Sequence, residues 1–134
     1  MAVFTVIEHE EIGTGGAASW SETGISSSYD HLLLKVSGRS ENAGAYDDEW
    51  AVTLNGSTTT SDYSCTTMVA YSGTPATERY ATGVRGGFIF PTVPAGLALA
   101  DTFGIITIWI PHYSNTANFK QVLIDNAFEN SSDT

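Results

Sequence analysis

Positive charge is scarce in this chain. Its 134 residues include 5 Lys and Arg against 15 Asp and Glu, a formal net charge of −10 at pH 7. Phosphate backbones and anionic membrane surfaces repel such a chain, so neither nucleic acid nor membrane is expected as a partner. Cysteine is nearly absent too. Cys65 stands alone, which excludes an intrachain disulfide and any zinc site built on cysteine pairs, and fits synthesis in a reducing cytoplasm. No apolar run approaches the ~18 residues of a membrane span. The opening MAVFTVIEHEE has no basic n-region and no uninterrupted apolar stretch, so it does not read as a signal peptide. Helical periodicity is also lacking, because no window holds an i, i+3, i+4, i+7 apolar stripe over three turns.

What is there is a series of short apolar runs divided by Gly, Ser, Asn and Pro, the spacing of a sandwich or barrel. Alternation predicts strands over residues 3–12, 17–23, 29–37, 48–54, 63–71, 83–90, 103–111 and 119–124. GTGG at 13–16 and Asn55-Gly56 read as turns, the latter as a hairpin signal. Residues 38–47 and 72–82 read as long loops. The expected fold is an all-β antiparallel sandwich, jelly-roll-like, with negligible helix. One domain covers 1–124, and 125–134 is expected to be a polar tail or truncated end without a closing strand. That would leave a sheet edge in need of a partner. The 103–111 run is apolar on both faces, so it should be central or covered on both sides. Leu32, Leu34, Val36, Trp50, Val52, Leu54, Ile106, Ile108 and Ile110 are the expected core.

The most patterned stretch is SSYDHLLLKVSGRS, residues 27–40. Leu32, Leu34 and Val36 share one strand face; His31, Leu33, Lys35 and Ser37 share the other. His31 and Lys35 therefore read as a wetter sheet face rather than as catalysts. Arg39 is expected to be structural, with its planar fork on a carboxylate from Glu41 or Asp47–Glu49.

Signatures of chemistry are weak. Glu8 and Glu10 share a strand face, yet no Asp-x-Asp calcium loop accompanies them. Asp47, Asp48 and Glu49 supply carboxylates of the kind glycosidases pair, but they also suit a charged strand entry. No nucleophile elbow surrounds any serine. GTGG and the RGG at 85–87 precede no helix, so neither is a phosphate cradle. No catalytic residue, metal or cofactor is expected. Trp50 and Trp109 lie in apolar strands and read as packing residues. Trp20, Tyr46, Tyr71 and Tyr80 are the aromatics available to a glycan or protein partner.

The 27–40 stretch also resembles a segment of tailed-bacteriophage structural proteins, of the form I-P-x-x-Y-x-x-L-x-L-x-x-S-x-R-S. Ile25, Tyr29, Leu32, Leu34, Ser37, Arg39 and Ser40 match it in order. Other pieces follow the same family pattern. Phe4 to Glu8 and the glycine-rich turn precede the segment, and Leu54-Asn55-Gly56 follows it. Later come Ile108, Ile110, Tyr113, Asn115, Thr116 and Lys120. The resemblance implies an antiparallel β-sandwich in a virion and passes on no catalytic residue. It implies a non-enzymatic structural protein, made in the host cytoplasm and carried on the virion. A capsid decoration protein is the first expectation; a tail-tip or fibre module binding host glycan is the second. Expected partners are copies of itself, as a homotrimer by analogy with other virion appendages, and virion proteins such as the major capsid protein. Family members continue into a Trp-Arg element, which this sequence lacks.

Overall fold

The computed structural model describes residues 4–71, 74–82 and 88–129, with only the backbone given for residues 71 and 88–90. Among these residues seven strands form, all paired antiparallel: β1 (Leu32–Gly38), β2 (Asp47–Val52), β3 (Cys65–Tyr71), β4 (Thr74–Tyr80), β5 (Phe88–Pro94), β6 (Gly104–Ile110) and β7 (Leu123–Ala127). The only helical turn described is a 3-10 turn at Thr60–Asp62. The chain is therefore all-β with negligible helix. The strands group as a three-stranded sheet in the order β1-β6-β7 and two ribbons, β2-β5 and β3-β4. These pairings do not by themselves establish a jelly-roll order.

Alternation explains the central sheet. Leu34 lies opposite Ile108 and Val36 opposite Ile106, while Ile124 faces Ile108 from β7. Opposed residues of antiparallel strands point to one face, so these side chains form a single apolar surface. Val93 of β5 packs onto it, and Val93, Ile106 and Ile108 make the fully buried centre. Leu34, Val36, Trp50, Val52, Ile110, Val122 and Ile124 surround that centre and are half-buried, as are Leu32 and Leu54. The expected core is correct in its facing, but only Ile106 and Ile108 of it are fully enclosed.

Gly38 ends β1 by contact rather than by a turn. It is buried beneath the Trp50 indole, and a methyl group there would come within 2.9 Å of Trp50 Cζ3 and nearer still to Cη2. Between the pairs Glu49–Thr92 and Ala51–Ile89, β2 advances from 49 to 51 while β5 advances from 92 to 89. The extra residue lies on the β5 side, beside Pro91, which has no N–H for a regular ladder.

Several expected elements differ. The 103–111 strand is indeed central, but it is not covered on both faces, because Ile105 stays exposed on the outer side. The chain does supply a further strand: β7 runs across the boundary expected after Ile124, and residues 125–127 belong to the sheet. Polar Asp125 and Asn126 hid it, and Asn126 is used inward, its Nδ2 donating to Thr92 O at 3.1 Å. The 72–82 loop is mostly strand β4, paired with β3 despite Pro75. Residues 4–12 and 17–23 carry strand-like alternation but form no ladder. Pattern alone makes no strand without a neighbour to bond it. The Asn55-Gly56 turn exists, with positive φ at both residues and Ser57 N–H donating to Leu54 O at 3.1 Å. It joins no hairpin, since β2 pairs with β5 and β3 with β4. The segment expected as a strand over 83–90 is described only from residue 88, where β5 begins and runs through Pro91 to Pro94; 83–87 lie outside the described residues.

Candidate functional site

Arg39 and Ser40, which close the patterned segment, both have structural partners. Arg39 Nη1 donates to Leu99 O at 2.8 Å, Thr102 Oγ1 at 3.0 Å and Thr102 O at 3.3 Å, and Nη2 donates to Ala98 O at 3.0 Å. The expected carboxylate is replaced by a ring of carbonyls from the loop before β6. That loop also zips to residues 42–46: Ala95 N–H bonds Tyr46 O, Gly96 N–H bonds Asn42 O and Leu97 N–H bonds Ala45 O, each at 2.9 Å. Ser40 Oγ donates to Asp48 Oδ2 at 2.6 Å, and Glu49 N–H donates to Asp48 Oδ1 at 3.0 Å. Asp48 thus anchors the loop to β2. At the acidic stretch near the start, His9 N–H donates to Glu8 Oε1 at 3.0 Å. Among the described residues, no group of three or more His, Cys, Asp or Glu side chains is placed to hold a metal.

On the outer face of the central sheet a different cluster forms. His31 lies over Trp109 with ring centroids 5.1 Å apart, and its other neighbour is His112, edge-on at 4.9 Å. His112 N–H donates to His31 Nδ1 at 3.0 Å, which fixes the Nδ1 lone pair of His31 as an acceptor. Lys120 closes the adjoining turn by donating to the carbonyls of His112 and Asn115. A groove of about 290 Å³ opens beside it, with His112, Asn115, Phe119 and Lys120 in its wall. Phe119 is wholly exposed.

This cluster sits at one end of a largely apolar plane. Register sets it out in rows: Leu33–Trp109–Leu123, then Lys35–Thr107–Asp125, then Ser37–Ile105–Ala127. Ile105 is 62% exposed and Leu123 61%. The alternation of the sequence sorts Leu33 and Lys35 to this wetter face, whereas Trp109, read as a packing residue, lies on it beside His31. The signal that could have found the plane was the double-sided apolarity of the 103–111 run.

Of the aromatics expected to meet a partner, Trp20 and Tyr46 are exposed and belong to none of the three strands of this plane, lying on the N-terminal segment and just before β2. Tyr80 ends β4 and donates its hydroxyl to Glu78 Oε2. That hydrogen bond, with a smaller part from burial and from the charges of Glu78 and Glu49, pushes its phenol up to about 12. The side chain of Tyr71 lies outside the described residues. Burial pushes the Cys65 thiol above its ordinary value, which keeps it protonated and unreactive near neutral pH.

No family model, curated protein or solved structure matches the chain.

Proposed function

We propose that this chain is a non-enzymatic structural component of a bacteriophage virion, a capsid decoration protein that assembles with copies of itself on the head surface. The observation that carries the reading is an antiparallel all-β chain of net charge −10 that keeps large apolar side chains uncovered, among them Phe4, Val6, Ile105, Phe119 and Leu123. A strong like charge disfavours casual aggregation, so uncovered apolar surface on such a chain suits a specific contact with an assembly partner. The phage assignment rests on the family-like residues from Phe4 to Lys120. Asp48, one of the three carboxylates at the entry to β2, is committed to Ser40 and to the Glu49 backbone, which suits a structural role. A trimer is the working stoichiometry, with the major capsid protein as the surface beneath.

The alternative, a tail-tip or fibre module that binds host glycan, draws on exposed Trp20 and Tyr46, since indole and phenol rings stack on sugar faces. Antibody labelling of intact virions viewed by electron microscopy separates the two. Label over the capsid is expected; label confined to the tail would transfer the protein to the second role, and unlabelled virions would end both.

A further inference from the structure

The segment 4–12 carries the period-2 pattern of a strand, yet it pairs with no strand among the described residues and is exposed throughout. Phe4 is 78% and Val6 81% exposed, and Ile7 and Ile12 are also uncovered. In extended chain, Phe4, Val6, Glu8 and Glu10 fall on one side. That side is apolar for two residues and acidic for the next two, with Ile12 apolar at its end.

The outer face of the β1-β6-β7 sheet has the matching sequence of surfaces. Its apolar row, Leu33–Trp109–Leu123, adjoins the row Lys35–Thr107–Asp125 on one side and the imidazoles of His31 and His112 on the other, with Lys120 tied to the same turn. Lys35 on this face and Lys120, which closes the turn carrying His112, are two of only 5 Lys and Arg in the chain. Size agrees as well. Nine extended residues span about 30 Å, enough to run the ~23 Å length of a seven-residue strand.

We infer that the 4–12 arm docks on the outer β1-β6-β7 face of a second copy of this chain. This rests on the self-assembly part of the function proposed above. A neighbour, rather than the arm's own sheet, is the occupant because of where the arm is tethered. Tyr113 Oη donates to Ile25 O at 3.1 Å and also to Ser26 O, and Tyr113 N–H donates to Asp30 O at 3.0 Å, so residues 25–30 are fixed beside the Trp109 end of the sheet. From there the chain reaches Gly16, where a side chain would meet the Glu41 carboxylate at 3.6 Å, past the opposite end of β1. The arm lies upstream of that point, and its apolar side chains remain in solvent rather than returning to the plane.

Such a contact is heterologous: the arm of one copy meets the face of the next, and a ring closes when the rotation allows. It predicts complementation. One variant carries Phe4→Ser with Val6→Ser, and the other carries Ile105→Glu with Leu123→Glu; all four side chains are exposed, so both proteins should keep the wild-type circular dichroism spectrum. Each alone should sediment as a monomer where wild type associates, a loss of at least about tenfold in association. Mixed, they should form a heterodimer, because the intact arm of the second fits the intact face of the first. If wild type associates and both variants associate equally well, the arm–face contact is wrong while self-assembly stands. If both variants are monomeric and the mixture stays monomeric, the arm and the face do not meet, and the inference also fails. A monomeric wild type would overturn the inference and, with it, the self-assembly part of the proposed function.

Discussion

Arg39 shows how one side chain holds two loops in register. Its four contacts gather the carbonyls of residues 98, 99 and 102 around a permanent cation. Hydrogen bonds from a charged donor contribute more than neutral ones, so Arg39→Ala should lower stability by about 2–3 kcal/mol in urea unfolding. Arg39→Lys should recover little of that, because an ammonium lacks the planar fork. Tyr80 offers a test at the same scale. Its phenol is raised from 10.0 to about 12, chiefly by the hydrogen bond to Glu78. A raised pKa means that folding favours the protonated phenol, so this contribution is whole below pH 10 and fades as pH climbs from 10 toward 12. Ultraviolet titration of the folded protein should show one tyrosine ionising late. Glu78→Gln should remove that late step, and an unchanged curve would show that Glu78 is not its cause.

Among the elements, β1 and β6 were the most legible in the sequence, β1 by its alternation and β6 by its unbroken apolar run, and each finds its partner in this chain. Their facing, and the buried Ile106 and Ile108, follow from period two alone. Strand β7 was not legible, since LIDNA spends one inward position on Asn126, whose amide is satisfied only by a β5 carbonyl that a sequence cannot place. Strand β4 was missed for a related reason: Thr74–Tyr80 buries almost nothing, and its order comes from pairing with β3. The outer plane of the site was half-legible, its residues being correctly sorted to one face, while His31 over Trp109 depends on the turn after β6. Gly38 yields the sharpest element-scale prediction. The Trp50 ring occupies the space of its missing side chain, so Gly38→Ala must displace the indole and should cost about 1–3 kcal/mol. Hydrogen exchange should also separate the elements. The amides of β6, bonded on both sides, should be the slowest, and the exposed β4 amides should exchange much faster. Equal protection in β4 and β6 would mean that the β3-β4 ribbon is covered in solution.

At the scale of the whole molecule, an acidic surface and uncovered apolar groups work in opposite directions. The charge of −10 keeps copies apart at long range. Phe4, Val6, Ile105 and Leu123 reward close approach only where they fit a partner. Salt therefore discriminates between kinds of contact. An association held by charge weakens as ionic strength rises, whereas one held by apolar burial against like net charge persists or strengthens. The most direct measurement is sedimentation equilibrium of the purified chain over a range of concentrations, at low salt and again near 1 M sodium chloride. The account predicts a defined oligomer of this 14.3 kDa chain, with three copies as the working number, at least as tight in high salt as in low. A single species of one-chain mass at every concentration in both conditions would contradict it.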